Sequence, residues 1–375
     1  IEVMYGPGSA LYGTNAVSGV INIITRDPDD EDAQGLFASA TFGSFDTQSL
    51  NMRLGHYDND NSFGYTLSAM YKTTSKTDLG AIDGANNWSD SIDNFEEDLS
   101  VEGKIKYKNL ELGMILQDKK ASRTTNYKSV GTDYYDRDTF WHITFANIWA
   151  KHKLNINNET ELNSMLYYRN ATVQDDTVAS VTNGVADNNQ TGYYRPNSLI
   201  GIEERLVYKG IEDLELTTGI VYERERLAEG FSKSYSNSYL IEPGAPQKPD
   251  MINNSLKSLY IQGQYRLNSE FTLTAGLRHD ESSTYDSVST PSGSLIYNKD
   301  DTTIKLIYAE AFRAPKPWDY TFGNGNTALS PEEMKSYELF FGHVFNNNVK
   351  ADIVYFNNKI KNKLTFDSIN NRWVN

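Results

Sequence analysis

The first residues whose spacing could support chemistry are glycines near the amino terminus. Gly8 and Gly13 are separated as in a phosphate-binding loop, but Thr14 stands where such a loop needs a lysine to reach the phosphates. Without that lysine the loop lacks the charge that holds a nucleotide. Tight turns between short apolar pieces therefore explain these glycines better than phosphate binding does.

Histidines and acidic clusters are the next candidates, for metal binding or acid–base chemistry. Asp29, Asp30 and Asp32, and the pair Asp175 and Asp176, offer oxygen atoms for calcium, but the glycine and spacing of an EF-hand are missing. We interpret them as solvated acidic loops. The histidines show no metal-binding spacing and have no carboxylate close in sequence, so each is interpreted as structural or solvent-facing. They are His56, His142, His152, His279 and His343.

Enzyme chemistry finds no support elsewhere in the chain. No G-x-S-x-G sequence singles out a serine nucleophile, and the absence of cysteine excludes disulfides, zinc–thiolate sites and iron–sulfur clusters. The formal charge of −15, from 35 Lys and Arg against 50 Asp and Glu, repels nucleic-acid phosphates. We therefore expect neither an enzyme nor a nucleic-acid-binding protein, and we expect no cofactor.

The composition favours strands joined by polar loops. The 375 residues include 25 Tyr, 16 Phe and 5 Trp, and aromatic residues are enriched in strands. Asn, Ser, Thr, Asp and Gly, which are typical of turns, are abundant. No run of about 18 apolar residues is present, so membrane-spanning helices are excluded.

Apolar and polar residues alternate over segments about as long as a membrane-spanning strand, which has about 9–11 residues. Charged residues behind an apolar face are unusual for a soluble β-sandwich or propeller, the alternative folds with such strands. The pattern instead predicts a barrel with an apolar outer face and a polar lumen. In the clearest segment the two predicted faces carry Leu259, Ile261, Tyr265 and Leu267 on one side, and Ser258, Gln262, Gln264 and Arg266 on the other.

Connections between these strands alternate between short and long. The alternation predicts an antiparallel up-and-down meander of roughly fifteen strands from Gly35 onward, with one trimmed end and one elaborated end as in outer-membrane barrels. The short turns are predicted at 108–109, 209–210, 268–269, 298–300 and 346–348. The long polar segments are predicted at 73–98, 121–138, 174–196, 228–254 and 313–335.

Residues 1–26 differ from the rest of the chain, because glycines separate short apolar pieces that end in the run V-I-N-I-I. The acidic run that follows at 27–32 contains Pro28, is hard to bury and marks a boundary. We therefore divide the chain into residues 1–32, a compact unit with its linker, and residues 33–375, which contain the barrel strands.

Residues 2–26, EVMYGPGSALYGTNAVSGVINIITR, resemble the closing stretch of the plug domain in TonB-dependent outer-membrane receptors, whose pattern is V-x-R-G-P-x-S-x-L-Y-G-x-x-A-x-G-G-V-I-N-I-I-T-K. Tyr5 stands where arginine is usual, and Ser18 where the first of two glycines is usual. Without the usual arginine, the chain is not expected to form a plug-to-barrel salt bridge at that position. The expected fold is unchanged. The matching plug residues are Gly6, Pro7, Leu11, Tyr12, Gly13, Ala16, Gly19 and Asn22.

A second block, AEAFRAP at 309–315 followed by SYEL at 336–339, resembles a barrel passage of the same family. Two separated matches in the family's order are stronger than either alone. The barrel-motif residues are Phe312, Arg313, Ala314, Pro315 and Glu338.

The resemblance implies an all-β fold, a transmembrane antiparallel β-barrel with the carboxy-terminal end of a plug domain at residues 1–32. Family barrels have about 22 strands around a plugged lumen, preceded by a TonB box and the rest of the plug. We therefore expect a partial, incomplete barrel, with residues 1–26 on its concave side near the first strand. Expressed alone, such an open sheet is expected to aggregate.

The resemblance also implies active import across the outer membrane of a Gram-negative bacterium. The solute would be scarce and too large for porins, such as a ferric siderophore or other metal chelate, cobalamin, haem or an oligosaccharide, and the TonB complex would supply the energy. Outer-membrane lipid and lipopolysaccharide would surround a monomer. A passive porin or a surface adhesin on the same barrel is the alternative, although a folded glycine-rich unit has no use in an open channel.

Aromatic residues in the long segments are the candidates for substrate contact, because they stack and form hydrogen bonds at the outer mouth of such a receptor. An aromatic belt at the membrane interface explains those near strand ends equally well. The candidates are Trp88, Tyr134, Tyr135, Tyr193, Tyr194, Tyr235 and Trp318.

Overall fold

The computed structural model describes residues 1–75, 95–122, 140–183, 188–229, 249–346 and 349–375. The amino-terminal unit contains β1 (Glu2–Tyr5), α1 (Ser9–Tyr12), β2 (Gly19–Asn22) and a 3-10 turn (Glu31–Ala33). The following strands are β3 (Gly35–Gly43), β4 (Thr47–Asp58), β5 (Phe63–Thr74), β6 (Glu96–Tyr107), β7 (Leu110–Ser122), β8 (Phe140–Asn155), β9 (Thr160–Asn183), β10 (Asn188–Arg195), β11 (Asn197–Ile211) and β12 (Leu214–Ala228). The remaining elements are β13 (Met251–Arg266), β14 (Phe271–Ser282), β15 (Val288–Lys299), β16 (Thr302–Arg313), α2 (Pro317–Thr321), β17 (Glu332–Asn346), β18 (Val349–Lys361), β19 (Thr365–Asp367) and β20 (Arg372–Val374).

One large antiparallel sheet runs from β3 to β18, and each strand pairs with its neighbours in chain order. β10 is the exception, because it pairs with β9 only and lies off the main path. The up-and-down meander and its length agree with the sequence prediction. Within the described residues, β3 and β18 each pair on one side only, so the sheet has two open edges.

Alternate residues of each strand face opposite sides of the sheet. In β13, Leu259 and Ile261 are 58% and 48% exposed, whereas Ser258 and Tyr260 are 6% and 2% exposed. Gln262 is half-buried on the side of Tyr260, as the alternation predicts. We call the side that carries Tyr260 the inner face, because the amino-terminal unit packs there, and the side that carries Ile261 the outer face.

The two ends of the sheet differ in their connections. At the trimmed end, all connections between consecutive strands have two to four residues, whereas the elaborated end carries the long segments 75–95, 123–139, 229–250 and 314–331. Two elaborated-end connections, 44–46 and 283–287, are nevertheless short. Of the predicted turns, 209–210 is wrong, because β11 continues to Ile211 and Asp213 supplies the positive φ of 60° that the tight hairpin needs.

The predicted long segment at 174–196 is also wrong in part. β9 continues through it to Asn183 and pairs with β10, so the chain forms a hairpin that extends past the neighbouring strands. Hydrogen bonding to a partner strand overrides the polar composition from which a loop was predicted. Thr177, in the middle of this segment, is completely buried.

The amino-terminal unit packs on the inner face. β1 and β2 pair as a short hairpin, and α1 contacts β14, β15 and β16. The expectation that residues 1–26 lie near the first strand is therefore wrong for α1. The linker that follows does reach the opposite part of the sheet, where the 3-10 turn contacts β4. Among the described residues, no helix is long and apolar enough to cross a membrane.

Substitution of Ile261 by arginine tests the assigned faces. In the full-length receptor folded into a bilayer, Ile261→Arg is expected to lower the free energy of unfolding by about 2–4 kcal/mol, because it places a charge in hydrocarbon. Gln262→Arg, one residue away on the inner face, is the matched control and should have a small effect. Equal losses at the two positions in a denaturant titration would show that the faces are assigned wrongly.

Candidate functional site

The turn at Gly13–Asn15 joins the amino-terminal unit to the elaborated end of the sheet. The Asn15 backbone N–H donates to the Phe312 carbonyl at 3.0 Å, at the end of β16. Gly13 has a φ of 76°, in the left-handed region that favours glycine, and its N–H caps α1 by donating to the Ser9 carbonyl at 2.9 Å. A Cβ atom at Gly13 would lie only 3.0 Å from Nη2 of Arg278. Glycine is therefore required at this position both by conformation and by space.

Arg278 forms a buried polar cluster directly beneath this turn. Its Nε donates to both carboxylate oxygens of Asp280, at 2.9 and 3.0 Å, and its Nη2 donates to Oγ of Ser258 at 2.8 Å. The Ser258 hydroxyl in turn donates to Asp280 at 2.5 Å. Asp280 is fully buried and Arg278 is 4% exposed. Because the charges are paired and hydrogen-bonded, Arg278 is held in place where it contacts the turn.

A cavity of about 380 Å³ opens beside the turn at the elaborated end. Its charged side chains balance in sign, because Arg195 and Lys316 face Glu223 and Glu225 across a lining that also contains amides and phenols. The Thr14 hydroxyl is shielded from solvent and has no hydrogen-bond partner among the described residues. The polar lining also includes Asn15, Asn254, Tyr285 and Tyr320.

Both tyrosines of the cavity are held neutral. Burial raises the pKa of Tyr320 to about 12 and also raises the pKa of Tyr285. The Tyr320 hydroxyl donates to the Thr284 carbonyl at 3.1 Å, which fixes the ring at the cavity wall. The cavity thus presents neutral phenols, amides and equal numbers of basic and acidic side chains. Such a surface can bind a polar solute by hydrogen bonds and stacking.

Two barrel-motif residues line this cavity, and a third packs against a residue of its wall. Phe312 is fully buried, with its ring 6.0 Å from that of Tyr285, and Ala314 and Pro315 line the cavity. Arg313 donates to Glu332 at 3.3 Å, and the same carboxylate accepts the Leu364 N–H at 3.0 Å. Glu338 is half-buried within β17, opposite Ile307 and Phe356.

The plug-motif residues build the unit that presents the turn. The N–H of Gly6 donates to Ser18 at 3.1 Å and that of Gly8 to Ala16 at 2.8 Å, which closes the chain around α1. Asn22 donates to Glu2 at 2.9 Å across the hairpin. The other motif residues are Pro7, Leu11 and Tyr12 around α1, of which Leu11 and Tyr12 are exposed, and Gly19, which begins β2.

None of the described aromatic candidates lines the cavity. Trp318 packs on Phe322 at a ring distance of 4.1 Å, in a cluster continued by Phe366 and Trp373. Tyr193 stacks on Trp141 at 5.7 Å. Their role in substrate contact stays a prediction, as does that of half-buried Tyr194. The others, Trp88, Tyr134, Tyr135 and Tyr235, lie outside the described residues.

The linker is clamped to the inner face near the trimmed end. Nζ of Lys104, a residue 6% exposed, donates to Asp27 at 2.6 Å and to the Thr25 carbonyl at 3.1 Å, while Lys106 binds both oxygens of Asp29 at 2.8 Å. We call these four charged side chains the linker clamp. The hydrogen bond from Lys106 lowers the pKa of Asp29 below its usual range. Asp29 is 41% exposed as well as paired, so its interpretation as solvated stands, and the sequence missed only its partner Lys106.

One histidine has carboxylate partners that its sequence neighbourhood does not reveal. Nε2 of His142 lies 2.9 Å from Asp118 and Nδ1 lies 2.6 Å from Asp176. Asp176 is exposed, as interpreted, but it lies in β9 and not in a loop. No group of three or more His, Asp or Glu side chains within the described part of the chain is arranged to hold a metal ion.

The linker clamp should control how easily the linker detaches from the sheet. Lys104→Gln removes a buried hydrogen-bonded charge, worth about 2 kcal/mol, so limited proteolysis of the full-length receptor should cut at residues 25–30 about tenfold faster or more. Lys108→Gln, at the adjacent turn, is the control and should leave the rate unchanged. Equal cleavage of both variants would show that the clamp does not hold the linker.

The clamp should also depend on pH in one direction. A carboxyl whose pKa is lowered in the folded state stabilises the fold above its unfolded value of 3.8, and that stabilisation is lost as the pH falls through the folded value. Linker cleavage by an acid-active protease should therefore rise below about pH 3.8. In Asp29→Asn this increase should be smaller. An identical pH profile in wild type and variant would contradict the role of Asp29.

Comparison with known proteins agrees with this geometry. Residues 26–375 match the model of the family described as TonB dependent receptor-like, beta-barrel. The iron-regulated outer membrane virulence protein of Vibrio cholerae serotype O1 is 24% identical over 97% of the chain and 53% of its own length. The vitamin B12 transporter BtuB of Vibrio vulnificus is 23% identical over 96% of the chain and 54% of its own length. The chain thus spans about half the length of these relatives.

Solved structures give the same fold. The FrpB iron transporter of Neisseria meningitidis superposes with a TM-score of 0.73 at 16% identity, over all of this chain and 62% of its own. The ferric enterobactin receptor PfeA of Pseudomonas aeruginosa superposes with a TM-score of 0.70 at 16% identity, over 96% of this chain and 58% of its own. Both are named for uptake, one as an iron transporter and one as a ferric enterobactin receptor, and the family consists of receptors and transporters, not enzymes. The chain belongs to the TonB-dependent receptor family, as a β-barrel of the Gram-negative outer membrane.

Proposed function

We propose that this chain is part of a receptor that imports a scarce solute through the outer membrane, driven by the TonB complex. The solute class is a metal chelate such as a ferric siderophore, or a molecule of similar size such as cobalamin or haem. The chain would supply strands of the barrel wall and the end of the plug. The TonB complex would act on a plug segment in the whole receptor.

The observation that supports this function best is the position of the amino-terminal unit. Its turn at Gly13–Asn15 lies beside the cavity at the elaborated end. Its linker at Asp27–Asp29 is held by lysines near the trimmed end. A single stretch of chain therefore connects the two ends of the inner face. A passive pore has no use for such a connection, whereas a gated importer needs one.

The orientation is part of the proposal. Outer-membrane barrels have short turns on the periplasmic side and long loops outside, so we place the elaborated end outside the cell. The cavity then opens to the exterior, and the linker clamp lies near the periplasm, where an inner-membrane motor can pull. The reverse orientation would place the substrate cavity on the motor's side.

The chemistry of the cavity fits a polar, hydrogen-bonding solute. Its volume of about 380 Å³ is within the range of small-molecule sites, which is about 300–1,000 Å³. Neutral Tyr285 and Tyr320 can stack on aromatic or chelate rings, and Asn15 and Asn254 can donate to carbonyl or catecholate oxygens. The relatives' names include iron, enterobactin and vitamin B12, and these guide the choice of solutes to test.

Uptake by cells that express the full-length receptor tests this function. Radiolabelled ferric catecholate siderophore and cobalamin are offered to cells lacking their own receptors. Accumulation of one of them is expected to require the receptor, an intact TonB and the proton gradient, while binding to isolated outer membranes requires only the receptor. Accumulation that persists without TonB would indicate a passive pore. Binding of none of these solutes, together with adherence to surfaces, would favour an adhesin.

A further inference from the structure

Two carboxylates line one wall of the cavity at the elaborated end. Glu223 and Glu225 lie two positions apart on β12, so their side chains share the inner face and their Cα atoms are about 7 Å apart. Both are half-buried. Among the described residues, no lysine, arginine or histidine nitrogen lies within 4.0 Å of either carboxylate. We call these two residues the glutamate pair.

Neutral donors hold the glutamate pair in place. The Tyr167 hydroxyl donates to Oε1 of Glu223 at 2.6 Å. Nδ2 of Asn254 donates to Oε2 of Glu225 at 3.0 Å. The Tyr167 ring reaches its partner across Gly201, where a Cβ atom would lie only 2.3 Å from the ring. The two carboxylates are therefore fixed in position by groups that do not cancel their charge.

The basic side chains near the cavity do not neutralise the pair at close range. Burial lowers the pKa of Arg195, and the carboxylate that opposes this shift is Asp319 rather than either member of the glutamate pair. Lys316 is exposed, so water screens its charge. Arg169 lies beyond ion-pair distance from the pair and packs over the Tyr167 ring at 4.7 Å. Within the described part of the chain, the β12 wall therefore presents negative charge without an ion-pair partner.

We propose that the glutamate pair binds a protonated amine of the imported solute, so that the receptor selects chelates that carry such a group. An ammonium group donates three hydrogen bonds, which allows it to bond the second oxygen of both carboxylates. A buried charge is costly unless it is paired, and a hydrogen bond between two ions is stronger than one between neutral groups. The inference rests on the proposed function, because it concerns the same cavity.

Other occupants fit this wall less well. A strongly anionic chelate would be repelled by the glutamate pair, and a neutral one would bury both carboxylates further without an opposite charge. A metal ion held by protein side chains alone is disfavoured, because the described residues include no group of three acidic or histidine side chains arranged to hold one. Tyr285 and Tyr320 in the remaining lining can contact the body of the chelate while its amine meets the glutamates.

The test compares two forms of one chelate on the full-length receptor. A linear ferric trihydroxamate with a terminal primary amine is offered beside the same chelate acetylated on that amine. The two have the same neutral metal centre and differ by one positive charge. Binding is measured on outer membranes from cells without TonB, so that transport does not contribute. The wild type should bind the amine form about tenfold or more tightly than the acetylated form.

Substitutions show whether the glutamate pair causes this preference. Glu223→Gln with Glu225→Gln keeps the side-chain shapes and should bind both forms about equally, with little change for the acetylated form. Glu203→Gln is the matched control, because Glu203 also lies on the inner face and accepts the Tyr260 hydroxyl at 2.6 Å, across Gly219. Glu203 does not line the cavity, so this variant should keep the wild-type preference. Heat-modifiable migration in gels shows that each barrel is folded, and the single Gln variants replace the double variant if it is not.

The outcomes separate this inference from the proposed import. Equal affinity of the wild type for the two forms, binding of neither form, or an amine preference that survives in the double variant would overturn the inference. TonB-dependent uptake of a ferric catecholate or cobalamin in the same strain would then still support import. An amine preference that depends on the glutamate pair, without any TonB-dependent uptake, would uphold the amine site and contradict import.

Discussion

Backbone hydrogen bonding inside lipid is the constraint on which the rest of this structure depends. No water is available in the hydrocarbon layer, so every N–H and C=O must find a partner within the protein. One antiparallel ladder from β3 to β18 meets this requirement for the strands within it, while β3 and β18 each have one edge without a partner strand among the described residues. Because strand side chains alternate, an apolar outer face leaves the inner face to polar residues. Tyr260, which donates to Glu203 at 2.6 Å, and Tyr167, which donates to Glu223 at 2.6 Å, show how those residues satisfy one another.

A polar inner face has a second consequence, because it offers partners to a segment that lies on it. The amino-terminal unit and its linker form polar contacts with the inner face at both ends. Its turn is seated on the Arg278 cluster and bound to the Phe312 carbonyl, and its linker is bound by Lys104 and Lys106. Both contacts are polar and local, so each can be broken without disturbing the ladder. The segment is thus held to the sheet by a few polar contacts at each of its two ends.

Periodicity in the sequence was enough to predict the strands, their up-and-down order and the facing of the Leu259 row. These features depend on residues within one strand or one turn, where alternation and turn chemistry act directly. The turn near 209 was misplaced by a few residues, because a bulge between Tyr208 and Ile211 lengthens β11. The polar composition of 174–196 predicts a loop, because nothing in it indicates that β9 and β10 pair with each other.

Contacts between distant residues could not be predicted in the same way. Lys104 and Asp27 are 77 positions apart, and nothing in the local composition of the acidic run indicates its partner. The cavity likewise gathers Asn15, Arg195, Glu225 and Tyr320 from four separate elements. The motif resemblance singles out Phe312–Pro315. Only the three-dimensional arrangement shows that the Phe312 carbonyl accepts a hydrogen bond from the Asn15 N–H.

The turn at Gly13–Asn15 rests against the end of β16, and the import proposed for the whole receptor requires the turn to leave it. The chain has no cysteine, so Asn15→Cys with Ala314→Cys introduces one defined pair at the cavity. In the full-length receptor a short bismaleimide is expected to cross-link this pair in resting membranes and to lower solute uptake far below that of the same double variant before cross-linking. Failure of the pair to cross-link, or full uptake by cross-linked receptor, would contradict the account.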